Sequence, residues 1–303
     1  MPLKTTVVGA FPKPDYLNIP DWFSEKGNFA DKELAGLTGM GGGFDPRSSN
    51  KIKKDEDMEE NIKKAVKYVI DEQVAAGIDV ITDGEMERGA YYIHVMNNIQ
   101  GIDMEHLEKK IMRSGAYSTF VPAVRGKLSL KEGPVCWKEW KRAEELVGGK
   151  ATLKFTIPGP MTMFDGIVNV HYSDLADLHK DLVTCVNQEI LALAEKGCKC
   201  IQIDEPVMMR YPENAMKYGL ENLAACFQGL PEDVTKVIHL CCGYPDKLDT
   251  DEYPKAPKTN YNLLAPKIDS LGFDEVSIED AEAQNDLSLL ALFKKTKVCY
   301  SKV

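Results

Sequence analysis

The sequence predicts an α/β protein folded as a (β/α)8 TIM barrel, and three observations carry that reading. Short apolar runs alternate with amphipathic helical stretches along most of the chain, seven of the runs read as strands, and the polar motifs sit where those strands end. Strands separated by helices pair in parallel through right-handed crossovers. A barrel collects its ligand-binding groups at the carboxyl ends of its strands, as these motifs do. An open doubly wound sheet shares that habit, and the spread of motifs over successive strand ends favours the barrel.

The elements follow in order. Lys4 to Phe11 is a β-rich run stopped by Pro12. From Glu59 to Ala76, the residues Ile62, Ala65, Val66, Val69 and Ile70 recur at helical spacing, and Gly77 ends the helix. Asp79 to Thr82 is a short buried strand leading into Asp83-Gly84-Glu85, and Thr152 to Ile157 is a second one closed by Pro158-Gly159-Pro160. Leu175 to Lys196 is a long helix halted at Gly197, followed by the strand Lys199 to Ile203 and by Asp204-Glu205-Pro206. The strand Lys236 to Leu240, the helix Tyr261 to Leu271, the strand Glu275 to Ile278, the helix Leu287 to Lys294 and a last strand from Lys297 complete the series. Two segments break the rhythm. Residues 28–54, with Gly39, Gly41, Gly42 and Gly43, read as a glycine-rich loop insertion, and residues 117–149, with Trp137 and Trp140, as a hairpin-and-helix excursion. Neither a repeat nor a linker divides the chain, so residues 1–303 read as a single barrel domain.

Composition sets the outer bounds. Of 303 residues, 44% are hydrophobic, enough for a sizeable core, which excludes disorder as the main state. Lys and Arg number 37 against 47 Asp and Glu, and a formal charge of −10 repels phosphate backbones, so no nucleic-acid partner is expected. No run approaches the ~20 apolar residues of a membrane span, and the first residues lack the basic and apolar regions of a signal peptide. The eight scattered cysteines read as reduced thiols of a cytoplasmic protein.

The sharpest chemical signal is His239-Leu240-Cys241 at a strand end. Residues two apart project to one face, and imidazole with thiolate suits zinc. One strand later Glu279 occupies the matching end position, within reach of a shared ion, because neighbouring strands lie ~4.8 Å apart. A pair of polarisable core residues accounts for His239 and Cys241 equally, and that reading stays open. Cys242 points to the opposite side and reads as structural. Asp83, Glu85, Asp204 and Glu205 close two further strands, either as helix caps or as partners for a substrate ammonium group. Gly9 lets backbone amides approach a ligand, and Arg88 holds a carboxylate or braces Glu85.

Taken together, the segments TTVVGAFP (Thr5 to Pro12), DVITDGEMERG (Asp79 to Gly89), IPGPMT (Ile157 to Thr162), IQIDEP (Ile201 to Pro206), HLCCG (His239 to Gly243) and SIEDAEAQNDLSLL (Ser277 to Leu290) resemble the catalytic barrel of the cobalamin-independent methionine synthase family, and its short single-barrel relatives most of all. That family is similar in fold to uroporphyrinogen decarboxylase, and its members are zinc-dependent methyltransferases acting on thiols. The resemblance implies that His239, Cys241 and Glu279 ligate zinc. It also implies that Glu85 and Asp204 hold the amino group of homocysteine and carry the catalytic role, with the Val8-Gly9 backbone near its carboxylate. The implied reaction moves a methyl group to the homocysteine thiol to give methionine, from methylfolate, a methyl corrinoid or a sulfonium donor.

Three departures stand beside it. Ala10 replaces the serine that usually follows the first-strand glycine, and no aromatic residue like the one lining the family's folate side is evident near Phe164-Asp165-Gly166. The chain stops at Val303 within the seventh strand, so the expected barrel lacks its eighth strand and the cysteine that supplies a fourth ligand; Cys299 is a stand-in or a core residue. Two other readings stay open: a non-catalytic barrel homologue that binds a small amino acid or partner, and a metal-free decarboxylase-like relative, which His239 and Cys241 argue against. The oligomeric state is open too, a homo-oligomer included.

Overall fold

The computed structural model describes residues 3–20, 45–50, 56–112, 117–243, 255–281 and 283–300. Gly39 to Gly43, and with them most of the expected 28–54 insertion, lie outside the described residues. Ten strands are described: β1 (Val80–Ile81), β2 (Ile99–Met112), β3 (Tyr117–Leu130), β4 (Thr152–Leu153), β5 (Phe155–Pro158), β6 (Val168–Asn169), β7 (Cys200–Asp204), β8 (Thr235–Leu240), β9 (Glu275–Ile278) and β10 (Lys297–Tyr300).

A parallel series runs through them. It starts at a bridge between Thr6 and Val80 and continues from β1 to β4. Across Lys154 the same segment becomes β5, which pairs with β7, followed in order by β8, β9 and β10. The α/β class is thus observed, with the strands in chain order as a barrel requires, while the described ladders run from the Thr6 bridge to β10 without closing on themselves. One register row matters for the site: Pro158, Asp204, His239, Ser277 and Cys299 are successive partners across β5, β7, β8, β9 and β10. Partners in a parallel ladder point to one face, so the row gathers polar side chains at one level.

The expected first strand is reduced to its single bridge. The carbonyls of Val7, Val8 and Gly9 accept from Lys154, Gln202 and Thr82 side chains, so this segment is fastened by side chains where a strand would use a ladder. Helices match their spacing more closely. The helix Glu56–Ala75 buries Ile62, Ala65, Val66, Val69 and Ile70, and the helix Leu175–Glu195 starts at Asp174, whose carboxylate accepts from the Ala176 amide at 2.8 Å. The expected helix Leu287 to Lys294 is instead a 3-10 segment, Leu287–Leu292, with only Leu289 buried, too little apolar face to hold a longer α-helix.

Residues 117–149 hold the strand β3 and the helix Cys136–Val147, and the partner strand of β3 had no clear signal. The long strand β2 pairs antiparallel with β3, with register shifts near Gly101 and between Asp103 and Glu108, and β3 also meets β6. After it, the helix Cys136–Val147 has no side-chain cap of its own. The buried Glu189 carboxylate supplies one from the helix Leu175–Glu195, accepting from the amides of Val135 and Cys136 at 2.9 Å each. All eight cysteines are free thiols, and no helix among the described residues is long and apolar enough to cross a membrane.

Candidate functional site

Glu85 is placed by the turn after β1. Gly84 and Glu85 both take positive φ (68° and 53°), an unusual backbone for a glutamate, and the Glu85 amide donates to Asp83 Oδ1 at 2.9 Å. Its carboxylate Oε1 accepts from Thr156 Oγ1 at 2.7 Å. Gly9 abuts it: a Cβ at that position would stand 2.5 Å from Glu85 Oε1, so glycine here is a matter of space beside a carboxylate. Arg88 is the brace. Its Nη1 donates to Thr156 O (2.9 Å) and Oγ1 (3.1 Å), its Nε donates to Glu139 (3.1 Å), and Glu85 lies 4.0 Å away. Glu139 also meets His94 Nε2 at 2.7 Å, and against the cost of burial His94 and Arg88 hold its carboxyl well below the usual range.

Asp204 ends β7 on the row already described. Gln202, two residues earlier, donates to Asp204 Oδ1 at 2.7 Å and to the Val8 carbonyl at 2.9 Å. Burial, and then the charge of Glu85, push the Asp204 carboxyl up to about 8. The neighbouring Glu205 has the capping role: it accepts from the Met161 and Thr162 amides and the Thr162 hydroxyl at the start of the helix Pro160–Asp165.

His239 lies beside Asp204 in register, and its Nδ1 sits 3.0 Å from Ser277 Oγ, which leaves Nε2 as the nitrogen free to ligate. Burial, helped by Lys154, lowers its pKa to about 4, so the imidazole is neutral, as a metal ligand must be. Cys241 follows two residues on, buried, its thiol pushed up to about 12 by burial and by the charges of Glu279 and Asp204. Glu279 caps β9 at the level of Cys241, its amide donating to Leu240 O. Its carboxylate accepts from the Cys242 amide (2.8 Å) and Lys255 (3.0 Å). The ligating atoms of His239, Cys241 and Glu279 do not all lie within 4.8 Å of one another, whereas those of Glu87, His94 and Glu139 do. That second cluster is an ion-pair network whose carboxylates hold Arg142 (2.7 Å) and Arg88 (3.1 Å), and Glu279 likewise holds Lys255 (3.0 Å), so a metal at either set would have to displace a cation. Imidazole, thiol and carboxylate on adjacent strand ends form a donor set that suits zinc.

Cys242 joins the apolar core and Cys241 does not, as their alternation requires. Cys299 pairs in register with Ser277, and its Sγ lies 3.9 Å from Glu275 Oε2, two residues earlier on β9. The structure adds Lys154, Thr156, Gln202 and Ser277 as polar groups that hold the named residues in place. Their signal was parity: Lys154 and Thr156 alternate on one strand, and Gln202 and Asp204 on the next, with apolar residues between.

A parallel α/β series that collects carboxylates, an imidazole and a thiol at successive strand ends is the frame of a barrel-type enzyme. Residues 46–299 match the family described as Cobalamin-independent synthase, Catalytic domain, and the chain belongs to that family. It is 27% identical over 316 residues to the methionine synthase of Sulfurisphaera tokodaii, covering 98% of this chain and 84% of that protein. The methionine synthase of Sulfolobus acidocaldarius is 28% identical over 293 residues, 97% of this chain and 72% of its own length. Among solved structures, a B12-independent methionine synthase from Shewanella sp. W3-18-1 in complex with selenomethionine superimposes with a TM-score of 0.79 at 25% identity, over 99% of this chain and 80% of that one.

Proposed function

We propose that this chain is a methyltransferase that moves a methyl group to the thiol of homocysteine, giving methionine. One arrangement carries the reading: Asp204 and Glu85 are buried carboxylates at strand ends, held by Gln202 (2.7 Å) and Thr156 (2.7 Å), and the charge of Glu85 helps burial push the Asp204 carboxyl up. Two such groups at the strand ends form a receptor for an ammonium ion, whose charge relieves their repulsion. The Val8-Gly9 backbone beside Glu85 takes the carboxylate of the same amino acid, and the side chain then extends towards His239 and Cys241.

His239, Cys241 and Glu279 would hold a zinc ion. Zinc, when bound, supplies a Lewis-acidic centre at which a thiol exists as thiolate near neutral pH. Around it, Ser277 orients the imidazole, and Lys255 and the Cys242 amide hold the Glu279 carboxylate in place. The methyl donor is a methylfolate or a methyl corrinoid. Residues 1–303 act as a single barrel domain, and the free thiols suit the reducing conditions of the cytoplasm.

The test is consumption of a methyl donor that depends on homocysteine and disappears in Cys241→Ser. Zinc-loaded protein that binds homocysteine yet turns over neither donor overturns the assignment.

A further inference from the structure

We propose that Gln202 is a positioning residue that sets the ammonium-binding and carboxylate-binding ends of the amino-acid pocket relative to each other, through one amide whose orientation Lys154 fixes. The inference rests on reading Asp204 and Val8-Gly9 as those two ends.

Gln202 is fully buried on β7, and both polar atoms of its amide are engaged. Oε1 accepts from Lys154 Nζ at 2.6 Å, and Nε2 donates to Asp204 Oδ1 at 2.7 Å and to Val8 O at 2.9 Å. An ammonium group only donates, so the amide oxygen must face Lys154. The flipped amide would set a donor against Lys154 and an oxygen against both a carboxylate and a carbonyl. Lys154 therefore determines which way the amide points, and both N–H groups are left for the pocket.

The same pair fastens the segment that carries Gly9. Lys154 Nζ donates to Val7 O at 2.7 Å, so two successive carbonyls, Val7 and Val8, are held from across the interior. Among the described residues this segment has one bridge, at Thr6, and no ladder beyond it. The Thr82 hydroxyl on Gly9 O (2.7 Å) and the Phe11 amide on Gly84 O (3.0 Å) hold its far end beside Glu85, and Lys154 and Gln202 set the Val7 and Val8 carbonyls between. Asp204 gains from the same amide: with Oδ1 engaged, its carboxylate plane is set. Because one side chain serves both ends, its loss disturbs the spacing between them as well as each end alone.

The experiment titrates L-methionine, and its des-amino and des-carboxy analogues, into the parent protein and into Gln202→Met and Lys154→Met by calorimetry, with melting curves identifying folded variants. The parent protein prefers intact methionine over both analogues. In Gln202→Met methionine affinity falls at least about tenfold while the analogues lose less, so the preference collapses. Lys154→Met, which releases the amide to turn, shows a smaller loss of the same pattern and carries the test if Gln202→Met does not fold. A folded variant that keeps the parent preference overturns the positioning role and leaves the reading of the pocket intact. A parent protein with no preference overturns the reading of the pocket, and the inference with it.

Discussion

Thr156 donates its hydroxyl proton to Glu85 across 2.7 Å and accepts, on the same oxygen, from Arg88 at 3.1 Å. A charge-assisted bond of this kind fixes where the carboxylate stands without adding a charge to the pocket. Thr156→Val removes both bonds and keeps the shape. Steady-state kinetics should show the KM for homocysteine rising about tenfold to a hundredfold, with the KM for the methyl donor unchanged, since hydrogen bonds to charged groups contribute about 1.5–3 kcal/mol. Equal rises in both KM values would contradict a local role at Glu85.

Gly9→Ala tests the other wall. The added methyl would begin 2.5 Å from Glu85 Oε1, so the carboxylate must swing away. The outcome expected is weaker binding of methionine with a melting temperature close to the parent's, because the displaced group is a side chain.

Metal content separates the ligand set from its neighbours. His239→Ala, Cys241→Ser and Glu279→Gln should each lower zinc from about one ion per chain, measured by elemental analysis after dialysis, and chelation should abolish turnover. His94→Ala should leave zinc content unchanged, since the Glu87–His94–Glu139 cluster is satisfied by Arg88 and Arg142. Zinc lost from His94→Ala and kept in Cys241→Ser would move the metal to the wrong cluster for this chemistry.

Glu189→Ala strips the acceptor from two backbone amides at the start of the helix Cys136–Val147. A buried donor left without a partner costs about 1–3 kcal/mol, so urea unfolding should show a loss of about 2–4 kcal/mol. A loss below about 0.5 kcal/mol would mean that water replaces the carboxylate there.

Acid stability of the hairpin turns on Asp103. Backbone bonds from His106 and Glu105 hold its carboxyl at about 2, below the ordinary value. A depressed folded pKa gives stability that is complete above the unfolded value near ~3.9 and is lost as pH falls towards about 2. The stability difference between the parent and Asp103→Asn, followed by urea unfolding across pH, should therefore be flat above pH ~5 and shrink below pH ~4. A difference that persists unchanged at pH ~2.5 would locate the effect elsewhere.

Much of the frame is local and periodic. The helix around Ile62 to Ile70 and the strand Glu275–Ile278 appear where the spacing of apolar residues puts them, because burial of one face is written into the residue pattern. The segment at Thr5 to Pro12 looked like any other strand. Its weak pairing was not legible, since which carbonyls are taken by Lys154, Gln202 and Thr82 depends on residues 73 or more positions away. The strand β2 was missed for a related reason: its glutamates and lysines lie half-exposed on a hairpin and give no clean alternation.

For the site, the chain of amino acids by itself determined the inventory, with Glu85, Asp204, His239, Cys241 and Glu279 each at a strand end, because strand ends are marked by the change from apolar runs to polar motifs. Tertiary structure alone decided their partners. Arg88 became a brace and Glu279 turned to Lys255 because ion pairs form between whichever charges the fold brings within about 4 Å, a distance no linear spacing encodes.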